Sequence, residues 1–121
     1  MGVEVDLIGI IGIKKPYNEF GILKNKNLTL TESEKEYFNN IVYEDYLPDN
    51  YIADSDGMSC EYSFVGKKLF VLEDGLYNGL YCTVDKNKLE NDIKEVYTTL
   101  KSMGIKCEES DIKLHIFTHF Y

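Results

Sequence analysis

The sequence contains no arginine and no tryptophan, and its 13 basic residues are lysines spread over 121 positions. Phosphate clamps and arginine fingers depend on the bidentate guanidinium fork, so sites of this kind are disfavoured. Direct nucleic-acid binding is disfavoured as well, because a chain with 21 acidic residues and a formal net charge of −8 offers no basic face to a phosphate backbone.

Long apolar runs and closely spaced cysteines are also missing. The longest apolar run, Leu7–Ile13, is far shorter than the roughly 18 residues that a membrane-spanning helix needs. The N-terminus carries Glu4 and Asp6 where a secretory signal would carry positive charge. The three cysteines are too widely spaced for CxxC metal or redox motifs and are expected to be reduced thiols; they are Cys60, Cys82 and Cys107.

The residues that are abundant indicate a folded protein from an AT-rich genome. A hydrophobic content of 44% and an aromatic content of 13% exclude an acidic disordered tail. A chain of 121 residues can bury one core without disulfides or a metal. We therefore expect a single α+β domain over residues 1–121, in the cytoplasm of a bacterial host.

Three segments give the clearest secondary-structure signals. Residues Val3–Lys14 alternate at first and are then apolar on both faces, which predicts a central strand. A first helix is expected to begin at Thr31, where a capping box is present, and to end at Pro48. A second helix is expected to follow a cap at Asn87. Its buried stripe and its Schellman closure comprise Leu89, Ile93, Val96, Leu100, Met103, Gly104 and Ile105.

The remaining strands are predicted from shorter patterns. Phe20–Leu23 and Leu28–Leu30 are expected to form a small hairpin, and a short strand is expected at Leu80–Val84. Two further strands, Met58–Val65 and Lys68–Glu73, are expected to be joined by a turn at Gly66-Lys67. The last strand alternates strictly. Its predicted buried face is Ile112, Leu114, Ile116 and Phe120, and its other face is Asp111, Lys113, His115 and His119.

The resulting order is β-α-β-β-β-α-β. It predicts a two-layer α+β sandwich, with a mainly antiparallel sheet of about five strands and two helices on one face. This arrangement is related to the ferredoxin-like plan with an added strand.

The negative charge is concentrated in one quarter of the chain. Residues 31–61 hold nine acidic residues and one lysine, whereas the rest of the chain holds 12 acidic residues and 12 lysines. Clustered carboxylates steer association with a positive surface, and tyrosines supply rigid contact area at interfaces. The predicted partner-binding residues are Tyr43, Glu44, Asp45, Tyr46, Asp49, Tyr51, Asp54, Asp56 and Glu61.

Two interpretations of this acidic segment compete. It is either a solvated face that aids solubility or the docking surface for a basic protein. The second interpretation predicts an acidic inhibitor of a nuclease, toxin or defence effector. Such an inhibitor would act like an immunity protein or a phage anti-defence or anti-CRISPR protein, with carboxylates in place of phosphates. Such an inhibitor is expected to bind neither nucleic acid nor membrane directly.

Two alternatives belong to other functional classes. In the first, the chain is a small-molecule (effector) binding domain, with an amine or cation held by Tyr62, Phe64, Tyr81 and Glu61. In the second, it is a homo-oligomeric module whose tyrosines face a second copy. No acid is paired with a base or nucleophile at a readable spacing, so neither an enzyme nor a cofactor is expected.

Three local patterns have features of functional sites, but each has a structural explanation. Asp54-Ser55-Asp56-Gly57 has part of the spacing of a calcium loop, but the outer ligand positions would be Ile52 and Ser63, which excludes an EF-hand. His115 and His119 share one face of a strand about 13 Å apart, at ~3.3 Å per residue, too far to share a metal. Gly9-x-x-Gly12 is attributed to close packing of a helix on the sheet.

Overall fold

A computed structural model describes residues 4–23, 31–37, 40–57, 61–73 and 82–120 of the chain. The six strands are β1 Val5–Pro16, β2 Phe20–Leu23, β3 Asn40–Tyr43, β4 Tyr51–Ser55, β5 Tyr62–Leu72 and β6 Lys113–Phe120. The two helices are α1 Glu32–Tyr37 and α2 Lys86–Ser102. Short 3-10 helices occupy Tyr17–Glu19, Glu44–Tyr46 and Glu109–Asp111.

The main sheet is antiparallel and has the strand order β4-β5-β1-β6. The predicted central position of the first strand is therefore confirmed, and so is the α+β class. A separate pair joins β2 to β3 in parallel.

Helix α2 covers β1 and β5 on one face of the sheet. Its core positions Val96 and Leu100 are buried, as the predicted stripe requires. The predicted Schellman closure is confirmed, because Ile105 N donates to Leu100 O at 3.0 Å and Gly104 has a φ of 80°. The predicted cap is wrong by two residues: Asp85, not Asn87, accepts hydrogen bonds from the first turn of the helix.

The opposite face of the sheet is curled, and we call it the concave face. The rings of Phe64 and Phe117 stack there at a centroid distance of 3.8 Å, although β1 lies between their strands. A bridge between Gly57 and Phe120 joins the ends of the two edge strands. The buried side chains of this face form a second core cluster of Ile8, Ile10, Phe64 and Phe117.

Paired glycines permit the close contact between β1 and β5. Gly12 and Gly66 are register partners, and a Cβ atom on Gly12 would overlap the backbone carbonyl of Val65. A Cβ on Gly9 would meet the ring of Phe70. Gly12 is therefore explained by the backbone of β5 and not by helix packing, whereas a Cβ on Gly9 meets only the end of the Phe70 side chain.

The predicted first helix is mostly wrong. Helix α1 begins directly after Thr31 but has only six residues. The chain then forms β3 and a 3-10 helix before Pro48, because Ile41 and Val42 are β-branched and favour a strand. Two helices packed on the sheet and a ferredoxin-like topology are not confirmed.

The strand predictions around residues 58–84 need several corrections. Strand β5 is continuous through Gly66-Lys67, so no hairpin turn is present there. Strand β4 was not predicted, and β2 pairs with β3 where a partner at Leu28–Leu30 was expected. Residues 28–30, 58–60 and 80–81 lie outside the described part of the chain, and Cys82–Val84 is not a strand.

The predicted burial of β6 is wrong at Leu114 and Ile116, although Ile112, just before the strand, is buried as predicted. Leu114 and Ile116 lie on the α2 side but are 39% and 60% exposed, because α2 does not extend over this edge strand. Phe117, on the face of the two histidines, is only 8% exposed. The curl of the sheet buries this concave face, which the alternation alone does not reveal.

Candidate interaction surface

The acidic segment is built from β3, a 3-10 helix and a tight turn into β4. Leu47 N donates to Glu44 O at 3.1 Å and closes the 3-10 turn. Tyr51 N then donates to Pro48 O at 3.1 Å, and Asn50 takes a φ of 69°. Asparagine tolerates this left-handed conformation, so the sequence Pro48-Asp49-Asn50 favours the turn.

Four residues of this segment project outward, and we call them the acidic ridge: Glu44, Asp45, Tyr46 and Asp49. Tyr46 is 57% exposed, and its ring lies edge-on to that of Tyr43 at 5.6 Å. Asp45 and Asp49 form no ion pair with any residue that the structure describes. The charges of Asp45 and Asp49 are therefore not paired with a charge on any of those residues.

Other predicted site residues are engaged within the protein. Tyr51 points to the α2 side, where burial raises the pKa of its hydroxyl beside Thr99. Both carboxylate oxygens of Asp56 accept a hydrogen bond from Glu61 N, at 3.0 and 3.2 Å. Glu61 is exposed, and its carbonyl accepts a hydrogen bond from Tyr17 N at 2.9 Å.

Asp54 lies on the concave face and binds β6. Its carboxylate is 3.2 Å from His119 Nδ1 and also accepts a hydrogen bond from Ser55 N at 2.9 Å. Burial raises the pKa of this carboxyl, with a further contribution from Asp6, and outweighs the opposing effects of the Ser55 hydrogen bond and His119. Of the nine predicted residues, four form the exposed ridge and Tyr43 packs against one of them, Tyr46. Tyr51 and Asp54 contact other parts of the protein, and Asp56 binds the backbone of Glu61.

Two hollows flank the ridge. One is a cleft of about 330 Å³ beside β1 and β4. Its lining combines carboxylates and apolar side chains, and includes Asp6, Ile8, Glu44, Leu47, Ile52 and Asp54. The other is a groove of about 450 Å³ between β3 and the end of α2, which we call the tyrosine groove. It is lined by Ile41, Val42, Tyr43, Tyr46, Ser102 and Met103, together with Ile105.

The sequence gave no prediction for a buried carboxylate in α2. Asp92 accepts charged hydrogen bonds from Lys67 Nζ at 3.1 Å and Lys88 Nζ at 2.8 Å, and Lys67 also binds Glu95 at 2.8 Å. Burial alone would raise the pKa of Asp92, but the two lysines hold it below its ordinary value. The sequence does contain a signal for a buried carboxylate, because Asp92 lies three residues after Leu89 and four before Val96, on the buried stripe.

The two histidines have separate partners. His119 contacts Asp54 and Ser55, whereas the ring of His115 lies edge-on to Phe64 at 5.9 Å. Burial lowers the pKa of His115, as do the nearby charges of Lys14 and Lys113. The described residues contain no group of three or more His, Cys, Asp or Glu side chains that could hold a metal.

The described cysteines do not belong to the ridge. Cys82 and Cys107 are free thiols, and burial raises the pKa of Cys107. Cys60 lies outside the described residues. Over the ranges that are described, no helix is long and apolar enough to cross a membrane.

Comparison of the chain with protein-family models, with curated proteins and with solved structures finds no match. The functional conclusion therefore rests on the geometry and charge of the surface itself.

Proposed function

We propose that the protein binds a basic partner protein through the acidic ridge and inhibits it. The observation that carries this proposal is the exposure of Asp45 and Asp49 without ion pairs in the described structure, beside the exposed ring of Tyr46. Adjacent like charges repel one another, and a positive surface relieves that repulsion on binding. The aromatic ring supplies contact area that a solvated charged face does not need.

The scaffold supports binding by a preformed surface. The ridge is held between two strands, and the turn that follows it is closed by the hydrogen bond from Tyr51 to Pro48. A ridge fixed in this way loses little conformational freedom when it binds. Carboxylates presented on such a surface can occupy positions that a basic nuclease or effector uses for phosphates.

The proposal leaves Asp54 and Asp56 out of the contact surface. Both carboxylates already bind groups of this chain, so their removal would perturb the fold as well as any interface. A test restricted to the exposed carboxylates separates binding from stability.

The test is affinity capture from a bacterial lysate with three baits. The surface variant is Glu44→Gln/Asp45→Asn/Asp49→Asn. The control variant, Glu73→Gln/Glu90→Gln/Glu109→Gln, removes the same charge from exposed positions elsewhere. We expect wild type and control to retain a common basic protein that the surface variant loses. Retention of that protein by all three baits would refute the assignment of the ridge.

A second candidate function is favoured by the cleft beside the ridge. Of the residues expected to hold a ligand, Phe64 stacks on Phe117, Tyr62 lies under Lys14 at 4.0 Å, and Tyr81 lies outside the described residues. The cleft instead combines carboxylates with an apolar wall, which suits an amphipathic amine. A rise in Tm with phenethylamine that Asp6→Asn abolishes would support this function, and an unchanged Tm would oppose it.

A further inference from the structure

The tyrosine groove adjoins the acidic ridge and shares a residue with it. Tyr46 belongs to both, and Tyr43 directly precedes the ridge carboxylates Glu44 and Asp45. Its volume of about 450 Å³ lies within the roughly 300–1,000 Å³ of pockets that hold small ligands. A partner that covers the ridge therefore meets this groove at the same time.

The walls of the groove are apolar and aromatic. Val42 is buried, Ile41 and Met103 are half-buried, and the Tyr43 and Tyr46 rings form one side. Such walls suit a side chain with an aliphatic stem. The ring of Tyr46 is 57% exposed, and aromatic rings attract cations.

The side chains that line the groove are uncharged, and exposed carboxylates border it on the side of the ridge. The ridge carboxylates follow the groove along the chain, and the opposite wall is the C-terminal end of α2, where the helix dipole favours cations. The neighbouring lysines, Lys101 and Lys106, line a separate hollow with Tyr97. Charge complementarity therefore selects a cationic occupant.

We propose that the tyrosine groove receives an arginine side chain of the basic partner. This inference rests on the proposed function. The arginine stem lies along Ile41 and Met103, and its guanidinium stacks on Tyr46 within reach of the ridge carboxylates. Arginine is chosen over lysine because its planar guanidinium both stacks on aromatic rings and binds carboxylates bidentately.

The first test uses nuclear magnetic resonance of the full chain with three capped tripeptides: Gly-Arg-Gly, Gly-Lys-Gly and Gly-citrulline-Gly. We expect the arginine peptide to shift the methyl resonances of Ile41, Val42 and Met103, and the uncharged citrulline peptide to leave them unchanged. Equal shifts with the lysine peptide, or arginine-induced shifts confined to residues outside the groove, would overturn the assignment.

Two variants that preserve the charge of the protein alter the groove. Ser102→Trp fills it from an exposed position, and Tyr46→Ala removes its exposed ring, while Tyr46→Phe keeps that ring as the control. We expect at least fivefold weaker arginine-peptide binding for the first two and no change for the control. Unchanged binding by Ser102→Trp and Tyr46→Ala would overturn the proposal.

Capture of the partner distinguishes failure of this inference from failure of the proposed function. If the surface variant loses the basic partner but Ser102→Trp retains it fully, the ridge is the binding surface and the groove assignment is wrong. If the surface variant retains the partner, the proposed function itself is wrong, whatever the peptides show.

Discussion

The Nδ1 atom of His119 lies 3.2 Å from the carboxylate of Asp54, which pairs a residue of β6 with a residue of β4. These are the two edge strands of the sheet, separated by β5 and β1. The same nitrogen lies 2.7 Å from the carbonyl oxygen of Ser55, so it must carry a proton to donate. The contact closes one end of the concave face, next to the bridge between Gly57 and Phe120.

Asp54→Asn is expected to reduce the pH dependence of stability. Because burial raises the pKa of Asp54, the folded protein binds this proton more tightly than the unfolded chain. The resulting stability is fully present below the ordinary pKa of about 3.9 and is lost as the pH rises through the raised pKa. The Tm of the variant minus that of wild type should therefore increase as the pH rises from 4 to 7. A constant Tm difference would contradict this account.

Asp92→Ala is expected to cost about 2–3 kcal/mol of unfolding free energy at pH 7, because it leaves Lys67 and Lys88 without their buried partner. Glu95→Ala removes a 53% exposed partner of the same Lys67 and should cost at most about 0.5 kcal/mol. Urea unfolding measures both values. Equal costs would show that the buried carboxylate has no special role.

The same ion pairs predict a loss of stability in acid. The pKa of Asp92 is lowered in the folded protein, so its contribution is present above the ordinary value of about 3.9 and is lost as the pH falls through the folded pKa. Wild type should lose more stability than Asp92→Asn between pH 4 and pH 2. Parallel losses would contradict the assignment.

Gly12→Ala tests the close contact between β1 and β5. The added Cβ would overlap the Val65 carbonyl, and backbone atoms on both strands must shift, so we expect a loss of about 3 kcal/mol. Gly104→Ala is the control, since its Cβ meets no atom within 4 Å and only the φ of 80° is unfavourable. That strain should cost about 1 kcal/mol. A smaller loss for Gly12→Ala than for Gly104→Ala in urea unfolding would argue against the contact.

Much of the fold follows from local sequence patterns. The apolar run in β1 predicts its central position, and the sequence from Val96 to Ile105 predicts a helix with its Schellman closure. In both cases the deciding interactions lie within the segment itself. The helix cap is a local feature too, but the sequence pattern led to Asn87, two residues after the actual cap Asp85.

The features that were missed depend on contacts between distant segments. The glycine at position 66 is a turn signal locally, but its role is set by Gly12 in another strand. The face of β6 that is buried is set by the curl of the sheet and by the extent of α2. The acidic segment shows the same limit: its charge was evident, but only the structure separates exposed Asp45 and Asp49 from internally bound Asp54.

Phe117→Ala and Ile116→Ala test which face of β6 is buried. Phe117 stacks on Phe64 in the concave cluster, and its removal should cost about 3–5 kcal/mol. The alternation alone assigns Ile116 to the core. Because this side chain is largely exposed, Ile116→Ala should lower the free energy of unfolding by less than about 0.5 kcal/mol. Guanidinium unfolding of the two variants measures the difference. A greater loss with Ile116→Ala would reverse the assignment.

The most direct measurement of the central claim is calorimetric titration of the captured basic partner with wild type, the surface variant and the control variant. The titrations are run at salt concentrations from roughly 50 to 300 mM, over which screening of exposed charges becomes strong. The account predicts at least tenfold weaker binding by the surface variant at low salt, with a reduced salt dependence, and wild-type behaviour by the control. Identical affinities for all three proteins would show that the acidic ridge is a solvated face and not the binding surface.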